Sequence, residues 1–166
     1  MRARYDVAAA GNAIMDVSAQ VDDAFLVRHA IPKGRTDLID EARCQALYDA
    51  LPASRIETSG GSAGNTVVGL ASLGGAAAFM GKVARDPLGE AYMSDMRRVG
   101  ADFFGEPLEG GPSTARSMIA VTPDGQRSMN TYLGASTGFS PRDVSAEVIA
   151  ASQWLYLEGY LFDKPA

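Results

Sequence analysis

Between Tyr5 and Leu157, short apolar runs alternate with stretches whose apolar residues recur at helical spacing. Strands separated by helical connections of this length pair in parallel, so the alternation restricts the chain to an α/β layered fold with a mainly parallel sheet. Tyr5 to Ala10 is the first strand, punctuated by Gly11-Asn12. From Asp40, the residues Cys44, Leu47, Tyr48 and Leu51 mark one face of a helix, with Asp40 as its N-cap and Pro52 as its stop. Val67, Leu70, Ala71 and Leu73 line a second helix that ends at Gly74-Gly75, and Ala76 to Val83 is a core strand. Asp86-Pro87 starts a third helix, with Leu88, Tyr92, Met96 and Val99 inward and Gly100 as its cap, followed by a short segment at Ala101 to Phe104. Ser140-Pro141 to Ala150 is a further helix with Val144 and Val148 inward, and Trp154 to Leu157 a further strand.

Two segments stand apart from this rhythm. Residues 14 to 39, turning at Pro32-Lys33-Gly34, read as a small hairpin or lid. Ala115 to Thr122 and Gln126 to Leu133 flank Pro123-Asp124-Gly125, a hairpin signal. Together they suggest a small β lid, with segments near 15–39 and 114–133, appended to the main sheet. At the other end, Asp163-Lys164-Pro165 has the form of an N-cap and first helical turn. A helix announced there makes the 166 residues look like part of a larger domain.

Composition removes several classes of function. Lys and Arg total 15 against 20 Asp and Glu, a formal charge of -5, which disfavours nucleic acid as a partner. No apolar run approaches the roughly 18 residues of a membrane span, and no signal cleavage pattern follows Arg2 and Arg4, so the cytoplasm is the default compartment. Cys44 and His29 are single, which excludes an internal disulfide, a cysteine zinc cage and a histidine-based metal site or triad. Cys44 falls on an apolar helix face and is expected to pack; His29 lies in a polar stretch and is expected to be solvated.

Candidate chemistry gathers at a few polar residues. Ser59-Gly60-Gly61-Ser62-Ala63-Gly64-Asn65 is neither a phosphate-binding loop ending in Gly-Lys-Ser/Thr nor the spaced glycine fingerprint of a dinucleotide site. Alone, such a glycine pair is more often a tight turn, but Ser62 and Asn65 beside a helix N-terminus suit a polyhydroxylated ligand. Asp16, just past the first strand, could accept two hydrogen bonds from neighbouring sugar hydroxyls or merely stabilise a turn, and Asn12 carries the same ambiguity. Glu158 follows the last strand and needs a partner, for which a ligand hydroxyl would serve. Met118, Met129, Tyr132 and Leu133 suit packing more than ligand contact.

In order and spacing, several segments resemble the ribokinase-like carbohydrate and nucleoside kinases, the PfkB family. They are Gly11-Asn12-Ala13-Ile14-Met15-Asp16, Gly60-Gly61-Ser62-Ala63-Gly64-Asn65-Thr66, Gly81-Lys82-Val83-Ala84-Arg85-Asp86-Pro87-Leu88-Gly89, Ser113-Thr114-Ala115 and Asp124-Gly125-Gln126-Arg127-Ser128. The forms at 11–16 and 60–65 look most like the adenosine-kinase-like branch. The match spans nearly all 166 residues but only the N-terminal half of the family's length.

The resemblance implies a three-layer α/β/α fold with a β lid. Asn12, Asp16, Gly61, Ser62 and Asn65 would hold ribose hydroxyls, and Gly60-Gly61 would be the lid hinge. Arg127 and Asn130 would lie on the lid strand facing substrate or phosphate, and Glu158 would match a sugar-contacting carboxylate of ribokinases. The implied activity is ATP-dependent phosphorylation of a hydroxymethyl group on a ribonucleoside or sugar. ATP and Mg2+ would be its cofactors, with a monovalent cation as an optional addition. The family's general base lies in a Gly-Ala-Gly-Asp motif of the C-terminal half, which these residues lack, so no catalytic residue is expected here and the isolated chain is expected to be inactive. Other PfkB sugar kinases, acting on ribose, fructose or 2-keto-3-deoxygluconate, remain alternatives, as does a non-catalytic sugar- or nucleoside-binding module. The lid could cover its own pocket or pair with a second copy's lid in a homodimer.

Overall fold

A computed structural model describes residues 3–162, which leaves the helix start expected at Asp163 to Pro165 outside the described residues. Two sheets carry the chain. The first is fully parallel and ordered β6-β5-β1-β9, from strands Tyr5–Ala10 (β1), Ala77–Met80 (β5), Ala101–Phe104 (β6) and Ser152–Leu157 (β9). The second is mixed and ordered β3-β8-β7-β2-β4, from Ile14–Gln20 (β2), Thr36–Leu38 (β3), Ile56–Gly60 (β4), Ala115–Val121 (β7) and Arg127–Tyr132 (β8).

Helices Ser62–Ser72 (α3) and Pro87–Arg98 (α4) cover one face of the parallel sheet, where Val67, Tyr92 and Met96 pack on Ala9, Ala77 and Phe79. Helix Ala146–Ala150 (α5) packs Val148 against Ala8, Ala10, Ala78 and Met80. That gives the three-layer arrangement. Helices Asp23–Arg28 (α1) and Glu41–Ala50 (α2) cover one face of the second sheet. Phe25, Leu26, Cys44 and Leu47 meet Val17, Ala19, Met118 and Ala120 there in a separate core. Cys44 packs as expected, and Asp40 caps α2 by accepting from the Arg43 amide at 2.7 Å. No helix among the described residues is long and apolar enough to cross a membrane.

The expected lid corresponds to the second sheet, but its wiring differs from the sequence reading. Residues 14 to 39 are not a hairpin: β2 pairs with β4 and β7, and β3 pairs with β8. Asp22 caps α1 between them by accepting from the Phe25 amide. Strand β4 was missed because Ile56, Glu57 and Thr58 are all exposed on a sheet edge, so no apolar run marks it. The stretch from Ser140 to Ala150 is two short helices, because Ser140 caps a 3-10 turn at Pro141–Asp143 and Ser145 caps α5. Val144, caught between them in extended backbone, faces out at 40% exposure. Leu73 is also outward, lying at the C-cap of α3. His29 is half-buried rather than solvated, its ring 4.3 Å from that of Phe25.

Candidate functional site

The pleat of β2 sends Met15, Val17 and Ala19 inward and leaves Asp16 on the opposite face. Register sets Asp16 beside Thr58 of β4 and Ser117 of β7, and the Ser117 hydroxyl lies 2.9 Å from that of Thr131 on β8. One row of the second sheet is therefore polar. A Cβ on Gly60 would fall 2.4 Å from Cγ of Asp16, so the carboxyl lies directly over that glycine. Asp16 is half-buried and has no hydrogen bond or ion pair with another described residue. Burial raises its carboxyl above the ordinary 3.8, while the positive charge of Arg127 acts in the opposite direction.

Arg127 is exposed and shares a face of β8 with Thr131. Asn130 does not: three residues along a strand reverses the face, and Asn130 is buried opposite Met118 with its Nδ2 unpaired. The expectation that Arg127 and Asn130 present themselves together is thus corrected by the pleat.

The other site candidates meet where the chain passes between the sheets. Residues 11–13 leave β1 for β2, and Gly61 joins β4 to α3 with a φ of +84°, a conformation that favours glycine. Gly61 has no side chain to cap α3, and Glu158 supplies the cap from beyond β9. Its Oε2 accepts from the Ser62 hydroxyl at 2.7 Å and from the Ala63 amide at 3.2 Å. Its Oε1 accepts from the Asn12 amide at 2.6 Å and from Asn12 Nδ2 at 2.5 Å. Ser62 and Asn65 remain exposed in the first turn of α3.

The fold thus gathers Asn12, Asp16, Gly60, Gly61, Ser62 and Asn65 around two crossings, with Glu158 behind them and Arg127 farther along the second sheet. Three contributors escaped the sequence reading. Tyr92, assigned only to helix packing, donates its hydroxyl to the Gly60 carbonyl at 3.0 Å. Its phenol is held well above its ordinary value by burial and by the charges of Glu158 and Asp16. A tyrosine at a fully buried position needs such a partner, which was the available signal. Ser117 and Thr131, buried polar residues in a strand pair, were the other two. Chemically, the arrangement can exchange hydrogen bonds with hydroxyl groups, since it presents one under-partnered carboxyl together with hydroxyls and amides. Among the described residues, no group of three or more His, Cys, Asp or Glu side chains converges on a metal position.

Residues 38–166 match the model of the pfkB family carbohydrate kinase. The fold superposes on the crystal structure of adenosine kinase from Sinorhizobium meliloti with a TM-score of 0.91 and 53% identity, over 98% of this chain and 50% of that one. A probable sugar kinase protein from Rhizobium etli CFN 42 gives a TM-score of 0.91 and 48% identity, over 98% of this chain and 49% of that one. Fructokinase-1 of Oryza sativa subsp. japonica is 32% identical over 81 residues, 49% of this chain and 25% of the relative. The chain spans about half the length of both solved structures.

Proposed function

Since the chain belongs to the pfkB family of carbohydrate kinases, we propose that it forms the substrate-holding part of an ATP-dependent kinase. Its acceptor is the hydroxymethyl group of a ribonucleoside, adenosine-like, or of a free sugar. The observation that carries this reading is Asp16: a half-buried carboxyl without an internal partner, seated over Gly60 where the two sheets meet. Ionised, it accepts from two adjacent sugar hydroxyls, an arrangement that answers its burial. Asn12, Ser62 and Asn65 frame the same sugar, Gly60 and Gly61 let it approach the backbone, and Arg127 offers positive charge farther along the sheet. Glu158 reaches the ligand only through Asn12 and Ser62.

Phosphoryl transfer also needs a base for the hydroxyl and charge stabilisation for the moving phosphoryl group. No Gly-Ala-Gly-Asp sequence occurs in the 166 residues, so this reading assigns neither role to them. ATP and Mg2+ belong to the complete enzyme, and a cytoplasmic setting goes with that chemistry. The nucleoside is favoured by 53% identity to an adenosine kinase, and the free sugar has support from 48% identity to a probable sugar kinase.

Titration calorimetry with adenosine, inosine, ribose, fructose and 2-keto-3-deoxygluconate, paired with a coupled ATP assay on the same panel, tests the reading. It expects one of these to bind the wild-type protein and Asp16→Ala to weaken that binding. An unchanged dissociation constant in the variant removes the pocket assignment. The reading frame beyond Ala166 separates the two classes: Gly-Ala-Gly-Asp there supports the kinase, and a stop codon supports a binding module.

A further inference from the structure

We infer that Glu158 is a positioning residue, which ties two of the crossings between the sheets to one carboxylate and so sets where the second sheet holds Asp16. The chain crosses between the sheets after β1, after β4, after β6 and after β8. Glu158 engages the first crossing through both nitrogens of Asn12 and the second through Ser62 and Ala63. A carboxylate has about four lone-pair directions, and the protein's own donors take all of them. At 3% exposure, Glu158 is also closed to solvent. It therefore offers no free acceptor to a ligand, and its influence passes through the backbone.

The surroundings are built for this contact. A Cβ on Gly11 would come within 2.5 Å of Oε2 of Glu158, so the carboxylate rests on the first crossing itself. The second crossing is also fastened from α4, where Tyr92 donates to the Gly60 carbonyl and Asp95 accepts from the Ser59 amide at 3.2 Å. The first crossing leads within four residues to Asp16, and the second is Gly60-Gly61, over which Asp16 lies. Loosening Glu158 releases Asn12 on the first crossing and Ser62 and Ala63 on the second, and leaves the second held only from α4.

Hydrogen exchange on the full chain without ligand tests the latch directly. Glu158→Gln replaces one acceptor with an amide donor that faces existing donors. It should speed exchange at the Asn12 or Ala63 amide by about tenfold or more, with β5 and α4 unchanged. Ser62→Ala removes a single donor from an exposed residue and should speed exchange at Ala63 by a smaller factor, which keeps the test available if Glu158→Gln does not fold. Unchanged exchange at both crossings in the variants overturns the inference.

Its consequence for ligand rests on the proposed function and is read separately. Using whichever sugar or nucleoside binds the wild type, Glu158→Gln should weaken binding by about tenfold and by clearly less in an Asp16→Ala background, where only its hold on Asn12 and Ser62 is left to lose. Direct contact would instead make the two losses multiply, and that result overturns the positioning role. If no ligand of the panel binds the wild type, the kinase reading fails while the exchange result still decides the latch.

Discussion

The carboxyl of Asp16 lies over the backbone of Gly60, so close that a Cβ at residue 60 would sit 2.4 Å from Cγ and 2.5 Å from Oδ2. Neither strand can yield easily, because Ile14 pairs with Gly60 in the β2–β4 ladder and Tyr92 holds the Gly60 carbonyl. Gly60→Ala should displace Asp16 and weaken capture of the sugar or nucleoside by roughly tenfold or more. Calorimetry on the variant checks it, and an affinity equal to wild type would show that Asp16 needs no such seat.

Asp16 itself should matter more. Losing a charge-assisted hydrogen bond costs about 1.5 to 3 kcal/mol, so Asp16→Ala should weaken capture roughly 10- to 100-fold. Because burial holds its carboxyl above 3.8, the folded state binds that proton more tightly than the unfolded chain does. Its contribution to stability is therefore fully present below pH 3.8 and lost as pH rises through the folded value. Ligand affinity should run the other way, falling as pH drops through that value, since hydroxyls donate to the ionised form. Asp16→Asn should flatten both profiles in melts and titrations between about pH 4 and pH 7.

Lys82 and Asp143 form a nearly buried pair, 2.5 Å apart with side chains 12% and 5% exposed. Burial acts to raise the Asp143 carboxyl, but hydrogen bonds from Lys82 and Ser140 hold it below 3.8. Lys82→Met leaves that carboxylate buried without its cation and should cost about 3 to 5 kcal/mol in denaturant melts. A partly restored double variant, Lys82→Met with Asp143→Leu, would confirm that the loss comes from the orphaned charge. With a depressed folded pKa, the pair's stabilisation is present above 3.8 and lost as pH falls through the folded value, so Lys82→Met should bring acid unfolding to higher pH.

Strand β9 carries Trp154, Leu155, Tyr156 and Leu157 at 73%, 43%, 39% and 46% exposure, on both faces of a sheet edge. Apolar residues on both faces are the mark of an interior strand of a parallel sheet. The 166-residue chain by itself should therefore self-associate as concentration rises, and Trp154→Lys with Tyr156→Lys should reduce that association in sedimentation runs. A wild-type chain that stays monomeric and melts cooperatively would contradict this.

Much of the fold was legible because local chemistry repeats. Asp40 and Asp86 sit as N-caps, Tyr92 and Met96 mark a buried helical face, and Asp124-Gly125 turns the hairpin that pairs β7 with β8. Strand β4 was not legible, since Ile56, Glu57 and Thr58 look to solvent and owe their conformation to β2, about forty residues earlier.

The sequence by itself determined the layered α/β class, the caps and turns, the inward stripes of the helices, and a set of polar candidates around residues 12–16 and 60–65. Each depends on neighbours within a few positions, where spacing and side-chain chemistry are sufficient. Only the tertiary structure decided what those candidates do to one another. It separated Asn130 from Arg127 through the pleat, placed Asp16 over Gly60, and closed Glu158 upon Asn12, Ser62 and Ala63. Glu158 lies 146 positions from Asn12 and 96 from Ser62, and whether a buried carboxylate meets a ligand or the protein's own donors depends on which groups the packed chain brings within about 3 Å.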